Sequence, residues 1–106
     1  MKNLTPFRVI LETESGNITL DPSDTVAFVN EERSPVLPIT VNDALVPVMS
    51  CKPGDVEGIP DDESPIIVMR DVLDQIPHRR NTYTIDPDAC DFIDALTVRV
   101  TRLMAP

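Results

Sequence analysis

Val36-Leu37-Pro38-Ile39-Thr40-Val41, then Asn42-Asp43, then Ala44-Leu45-Val46-Pro47-Val48-Met49, is the stretch on which the reading of this chain turns. Two apolar, β-favouring runs flank a two-residue junction, and Asn and Asp accept the left-handed backbone angles of a type I′ turn. The spacing predicts a hairpin in which Val41 faces Ala44, Ile39 faces Val46 and Leu37 faces Val48. One face of it, Leu37, Ile39, Val41, Ala44, Val46 and Val48, is then wholly apolar and expected in the core. Pro38 falls opposite Pro47, at a non-hydrogen-bonded pair where a missing N–H breaks nothing. Their absent donors point outward, so the hairpin is expected at a sheet edge or only partially paired beyond itself.

Working toward the N-terminus, Phe7 to Thr13 alternates apolar and polar, and Ser15-Gly16 supplies a tight turn. The chain returns through Ile18 and Leu20, with Thr13 expected opposite Ile18 and Leu11 opposite Leu20. Asp21-Pro22 ends that strand. Thr25 to Asn30 fits a buried strand or a short helix, with strand the preferred reading.

Toward the C-terminus, residues 53–65 read as a loop carrying three prolines, two glycines and five acids with no base. Ser64-Pro65 resembles a helix start, and Ile66, Met69, Leu73 and Ile76 follow at helical spacing until Pro77. A strand through Ile66–Met69 is the competing reading. Asn81 to Ile85 reads as a strand, Asp86-Pro87 as the start of a short helix to about Asp94, and Leu96, Val98 and Val100 as a last strand. Thr19-Leu20-Asp21-Pro22 and Thr84-Ile85-Asp86-Pro87 echo each other, and a recurrent strand exit explains them better than a duplicated half-domain. The expected fold is one α+β domain over residues 1–106. Antiparallel hairpins form one sheet or a small two-layer β-structure, and one or two short helices lie in the C-terminal half.

The 106 residues carry 18 acids against 9 Lys and Arg, a net charge of −9, and four aromatics with no Trp. That field repels phosphates, and there is little to stack on bases, so direct nucleic-acid binding is disfavoured. Prolines and acids interrupt every apolar run before membrane-spanning length. Met1 to Pro6 lacks the apolar segment of a signal peptide. With two distant cysteines, Cys51 and Cys90, this leads to the expectation of a cytoplasmic protein whose thiols are reduced and buried beside apolar segments.

Four constellations invite a chemical reading. His78, Arg79 and Arg80 form the one basic cluster, suited to a phosphate or carboxylate, although cations at a helix C-terminus explain it more simply. Asp86, Asp88, Asp91 and Asp94 lack the central Gly and closing Glu of a calcium loop, so helix capping is preferred. Cys51, His78 and Cys90 lack the paired spacing of zinc ligands or a thiol catalyst, and neither metal nor cofactor is expected. Asp55, Glu57, Asp61, Asp62 and Glu63 give the acidic loop its character. They are read either as a face for a basic partner or as a solvated connector.

The leading functional expectation is a non-catalytic acidic protein-binding module. It would act as an inhibitor or accessory factor occluding a basic surface of another protein, with nucleic-acid mimicry as one form. The runner-up is a structural subunit of a homo-oligomeric assembly such as a viral particle. A small enzyme comes third, since one His and no nucleophile motif leave little from which to build a site.

Overall fold

The computed structural model describes residues 1–106 and shows a mostly β protein, with 56% strand and only 8% helix. The strands are β1 (Lys2–Asn3), β2 (Arg8–Thr13), β3 (Gly16–Leu20), β4 (Phe28–Val41), β5 (Ala44–Glu57), β6 (Ile66–Ile67), β7 (Thr82–Ile85), β8 (Cys90–Asp94), β9 (Thr97–Val100) and β10 (Leu103–Met104). One helix, α1 (Arg70–Gln75), and a 3₁₀ turn at Pro87–Ala89 complete the chain. They form two four-stranded sheets, ordered β1-β6-β7-β10 and β3-β2-β9-β8, and a separate two-stranded ribbon of β4 and β5.

Ile66-Ile67-Val68 organises the body. All three are fully buried, as befits a short strand covered on both faces. Ile66 and Val68 point into one cluster with Leu4, Ala27, Val72 and Leu73. Ile67 points the other way, onto Val9, Val98 and Val100. The β1-β6-β7-β10 sheet is therefore the middle layer, with the β3-β2-β9-β8 sheet on one side. On the other side lie α1 and the root of the ribbon, where Val29 and Val56 pack against the same cluster.

A knot of polar groups locks the N-terminal corner. Asn3 is buried, and its amide donates to the carbonyls of Phe7 (2.6 Å) and Leu20 (2.9 Å). Its Oδ1 accepts from the N–H (3.1 Å) and hydroxyl (2.6 Å) of the equally buried Thr5. Every side-chain polar atom of the pair is matched, which a buried amide requires.

Several expectations need correction. The chain is not an α+β fold with helices over residues 65–76 and 87–94. Ile66 and Ile67 pair in parallel with β1 and β7, which takes up backbone groups a helix would need, so α1 begins only after Met69. At Asp86 the cap is real, since its carboxylate accepts from the Asp88 N–H, but it supports a single 3₁₀ turn. Cys90 is already extended and pairs with Val100. The sheets are mixed, because β2 pairs with β9 in parallel across the length of the chain. The first hairpin turns at Glu14-Ser15, which sets Thr13 opposite Gly16 and Leu11 opposite Ile18. That shift of two residues leaves the faces unchanged. Of the Thr25–Asn30 segment, only Phe28 onward is strand. The echoed motifs end strands in different sheets, at Leu20 in β3 and Ile85 in β7.

The ribbon dominates the outline. Compact chains of this length have a radius of gyration of about 13 Å, whereas this one measures 17.6 Å, with extents of 61 × 32 × 24 Å. From Glu31 to Val41 the ribbon runs ten residue steps, about 35 Å at the usual strand rise.

Candidate functional site

The turn that begins the arm's return is the one its sequence predicts. Asn42 and Asp43 have φ of 49° and 65°, and Val41 pairs with Ala44 and Ile39 with Val46. Below that the register departs from expectation. Val36, rather than Leu37, pairs with Val48, so Leu37 and Pro38 together oppose Pro47 in a bulge. The prolines are not directly opposed. They sit where the ladder is already interrupted, which their missing N–H groups demand. As expected from those prolines, β4 and β5 pair only with each other.

The arm's environment overturns a second expectation, that its apolar face enters the core. Counting from the register, one face carries Val36, Ile39, Val41, Ala44, Val46 and Val48. Leu37, Thr40, Leu45 and Met49, with the prolines, fall to the other. Leu37 is 87% exposed and Leu45 73%, and none of these residues is buried. Between Ser34 and Cys51 the only charged side chain is Asp43, while Glu31, Glu32, Arg33, Lys52, Asp55 and Glu57 cluster at the root. Apart from Asp43 at the turn, the tip is uncharged, and it is apolar on both faces.

The root is firmly held. Ala27 donates to Leu4 O (3.0 Å) and Ser23 to Asn3 O (2.9 Å), which ties the entering chain to the polar knot. Gly54 lies where a Cβ would come within 2.9 Å of Asn30 O, so close strand approach there excludes a side chain. Gly58, at φ +87°, lets the chain leave the arm past Val26 and Ala27.

The residues singled out for their charge do not make one surface. Asp55 and Glu57 lie on β5 at the arm root, while Asp61, Asp62 and Glu63 follow in the loop and share a groove with His78, Arg79 and Arg80. Arg79 works as a clasp. Its guanidinium donates to the carbonyls of Asp62 (2.7 Å), Ser64 (3.1 Å) and Arg80 (3.1 Å) and to Thr82 Oγ1 (3.1 Å). Asn81 adds a bond to Glu63 O (2.9 Å). His78 and Arg80 are exposed beside those acids. Asp62 is held below its ordinary pKa, first by the Ser64 hydroxyl and then by the Ser64 N–H. Basic cluster and acidic loop thus meet each other.

Of Asp86, Asp88, Asp91 and Asp94, the first and last take structural posts. Asp86 is buried, and Arg102 Nε sits 2.6 Å from its Oδ2. That bond, with the Asp88 N–H, lowers its pKa. Asp94 accepts from Leu96 N–H at 2.8 Å, which lowers its pKa and shapes the turn between β8 and β9. No three His, Cys, Asp or Glu side chains gather as a metal site. Both thiols are free; Cys90 is half-buried, but Cys51 lies exposed on the arm, contrary to the expectation of burial. No helix is long and apolar enough to cross a membrane.

Composition and spacing gave no sign of the body's own exposed apolar group, Phe92, Ile93 and Leu96, at 58%, 55% and 67%. The short helix expected to run to about Asp94 includes Phe92, which instead lies exposed on β8. Compared with known proteins, the chain matches no family model, no curated protein sequence and no solved structure.

Proposed function

We propose that this chain is a non-catalytic structural subunit that assembles with copies of itself, using the β4-β5 arm as the connector. One observation carries the reading: apart from Asp43 at its turn, the arm tip is uncharged and apolar on both faces, and nothing in its own chain covers it. A surface strand meant for water alternates apolar and charged, and one meant for a single interface keeps one polar face. A ribbon apolar on both faces gains most when it is enclosed. Burying Leu37 and Leu45 alone would contribute roughly 1.5–3 kcal/mol each.

The tip also suits a second copy better than a basic partner. A connector for a basic groove would carry its acids at the point of contact, yet the tip has one acid while the acids of the 61–63 loop face Arg79 and its neighbours. In a chain of charge −9, the tip with its single acid approaches another copy while adding little to their repulsion.

Sedimentation across protein concentration, at low salt and at about 1 M salt, tests this. The wild-type chain is expected to assemble in a concentration-dependent way and to stay assembled at high salt, because apolar contacts are not screened. Leu37→Ser with Leu45→Ser should leave a folded monomer. A wild-type chain that stays monomeric at all concentrations, or an assembly dispersed by salt, contradicts the proposal.

A further inference from the structure

The ladder of the arm breaks twice, and the two breaks have different surroundings. On β4 the first falls between Val29 and Glu31 and the second between Val36 and Ile39. At the first, Val29 and Val56 pack on the body's core cluster, and a Cβ on Gly54 would meet Asn30 O at 2.9 Å. Core packing and close strand approach pin that break in place. At the second, Leu37 and Pro38 oppose Pro47, and no residue from Ser34 to Ser50 joins either core cluster. Beyond it the ladder holds only the pairs Ile39–Val46, Thr40–Leu45 and Val41–Ala44, closed by the Asn42-Asp43 turn.

We infer that the second break is a hinge, on which Ile39–Val46 swings as one unit against the root of the arm. A bulge leaves its extra residue unpaired, and neither proline has an N–H with which to bridge the gap. The bonds that resist bending elsewhere in the ribbon are therefore missing at this level, and no side chain from another layer replaces them. The outer unit keeps its own shape, because a two-residue type I′ turn matches the twist of the strands it joins. Each proline locks its own φ, so the break bends without dissolving into a loop. The change in angle falls on Leu37 and on the ψ of the two prolines, as few residues as hinges commonly use. In the assembly proposed above, on which this use of the hinge rests, it lets identical arms meet their neighbours at differing angles.

Backbone dipolar couplings measured by NMR test this, on chains carrying Leu45→Ser and Met49→Ser. Both positions are more than half exposed and lie outside the break. On the connector reading these changes favour the monomer; a wild type that is already monomeric overturns that reading and leaves this measurement unchanged. Order parameters of about 0.85 in the body and at the root should step down together to below about 0.6 across Ile39–Val46. Deleting Pro38 lets Leu37 pair with Pro47 in a continuous ladder, and it should return those amides to the value of the root. Values at the level of the root throughout would show a rigid arm and overturn the hinge. A gradual decline toward Asn42-Asp43 that the deletion leaves unchanged would overturn it too, because that pattern is fraying from the tip.

Discussion

The body and the arm are built from similar residues and reach opposite ends. All 15 buried residues lie outside Phe28–Glu57, although the arm holds one of the densest runs of Val, Leu and Ile in the chain. In the body, Ile66, Ile67 and Val68 are walled in by two sheets and a helix. In the arm, Val36, Ile39 and Val41 lie across from Val48, Val46 and Ala44 and stay about half exposed. Such pairs contribute roughly 0.2–1 kcal/mol each, and a lone two-stranded hairpin is marginal in water. Apolar alternation therefore states that a strand forms; a second layer must be present before that strand becomes core.

The widest gap between the regions should appear on truncation. Ile67→Ala leaves a cavity between the two sheets and is expected to cost about 3–4 kcal/mol. Leu37→Ala in the monomer should stay within about 0.5 kcal/mol, as for an exposed site. Urea unfolding of the two variants measures both, and similar losses would mean that the arm is packed after all.

A smaller effect tests whether the body's corner is held by polar matching. Asn3→Ala takes away the acceptor of the buried Thr5 N–H and a donor to each of the Phe7 and Leu20 carbonyls, with an expected cost of about 2 kcal/mol. Asn17→Ala, on the exposed β3 strand, serves as the control. Equal midpoints for the two variants would remove the knot from the account.

The smallest effect concerns acid. Asp86 has its folded pKa lowered by Arg102, so the stability it contributes is present above the ordinary value of 3.8 and is lost as pH falls through the depressed value. Asp86→Asn should flatten the stability–pH curve below about pH 4 while leaving the arm's exposure unchanged. An acid limb identical to wild type would show that other carboxylates set it.

Much of the strand content and one turn could be read directly. Asn42-Asp43 marked the type I′ turn, Gly16 lay at the first hairpin, and the prolines of the arm foretold strands without outer neighbours. The candidate sites were less legible. Arg79 was visible as a cation, but its carbonyl partners at 62 and 64 arrive from a distant loop. Phe92 and Leu96 were visible as apolar residues, and only the fold left them uncovered.

By itself the sequence determined the local geometry, because a turn depends on the backbone angles that a few adjacent residues tolerate. Tertiary structure alone decided which apolar strands became core and which remained a projecting arm. It also decided that Ile66-Ile67 joined a parallel sheet rather than a helix and that β8 became an open edge. Burial and parallel pairing are properties of segments far apart in the chain, and no residue type encodes what a distant segment will lay against it.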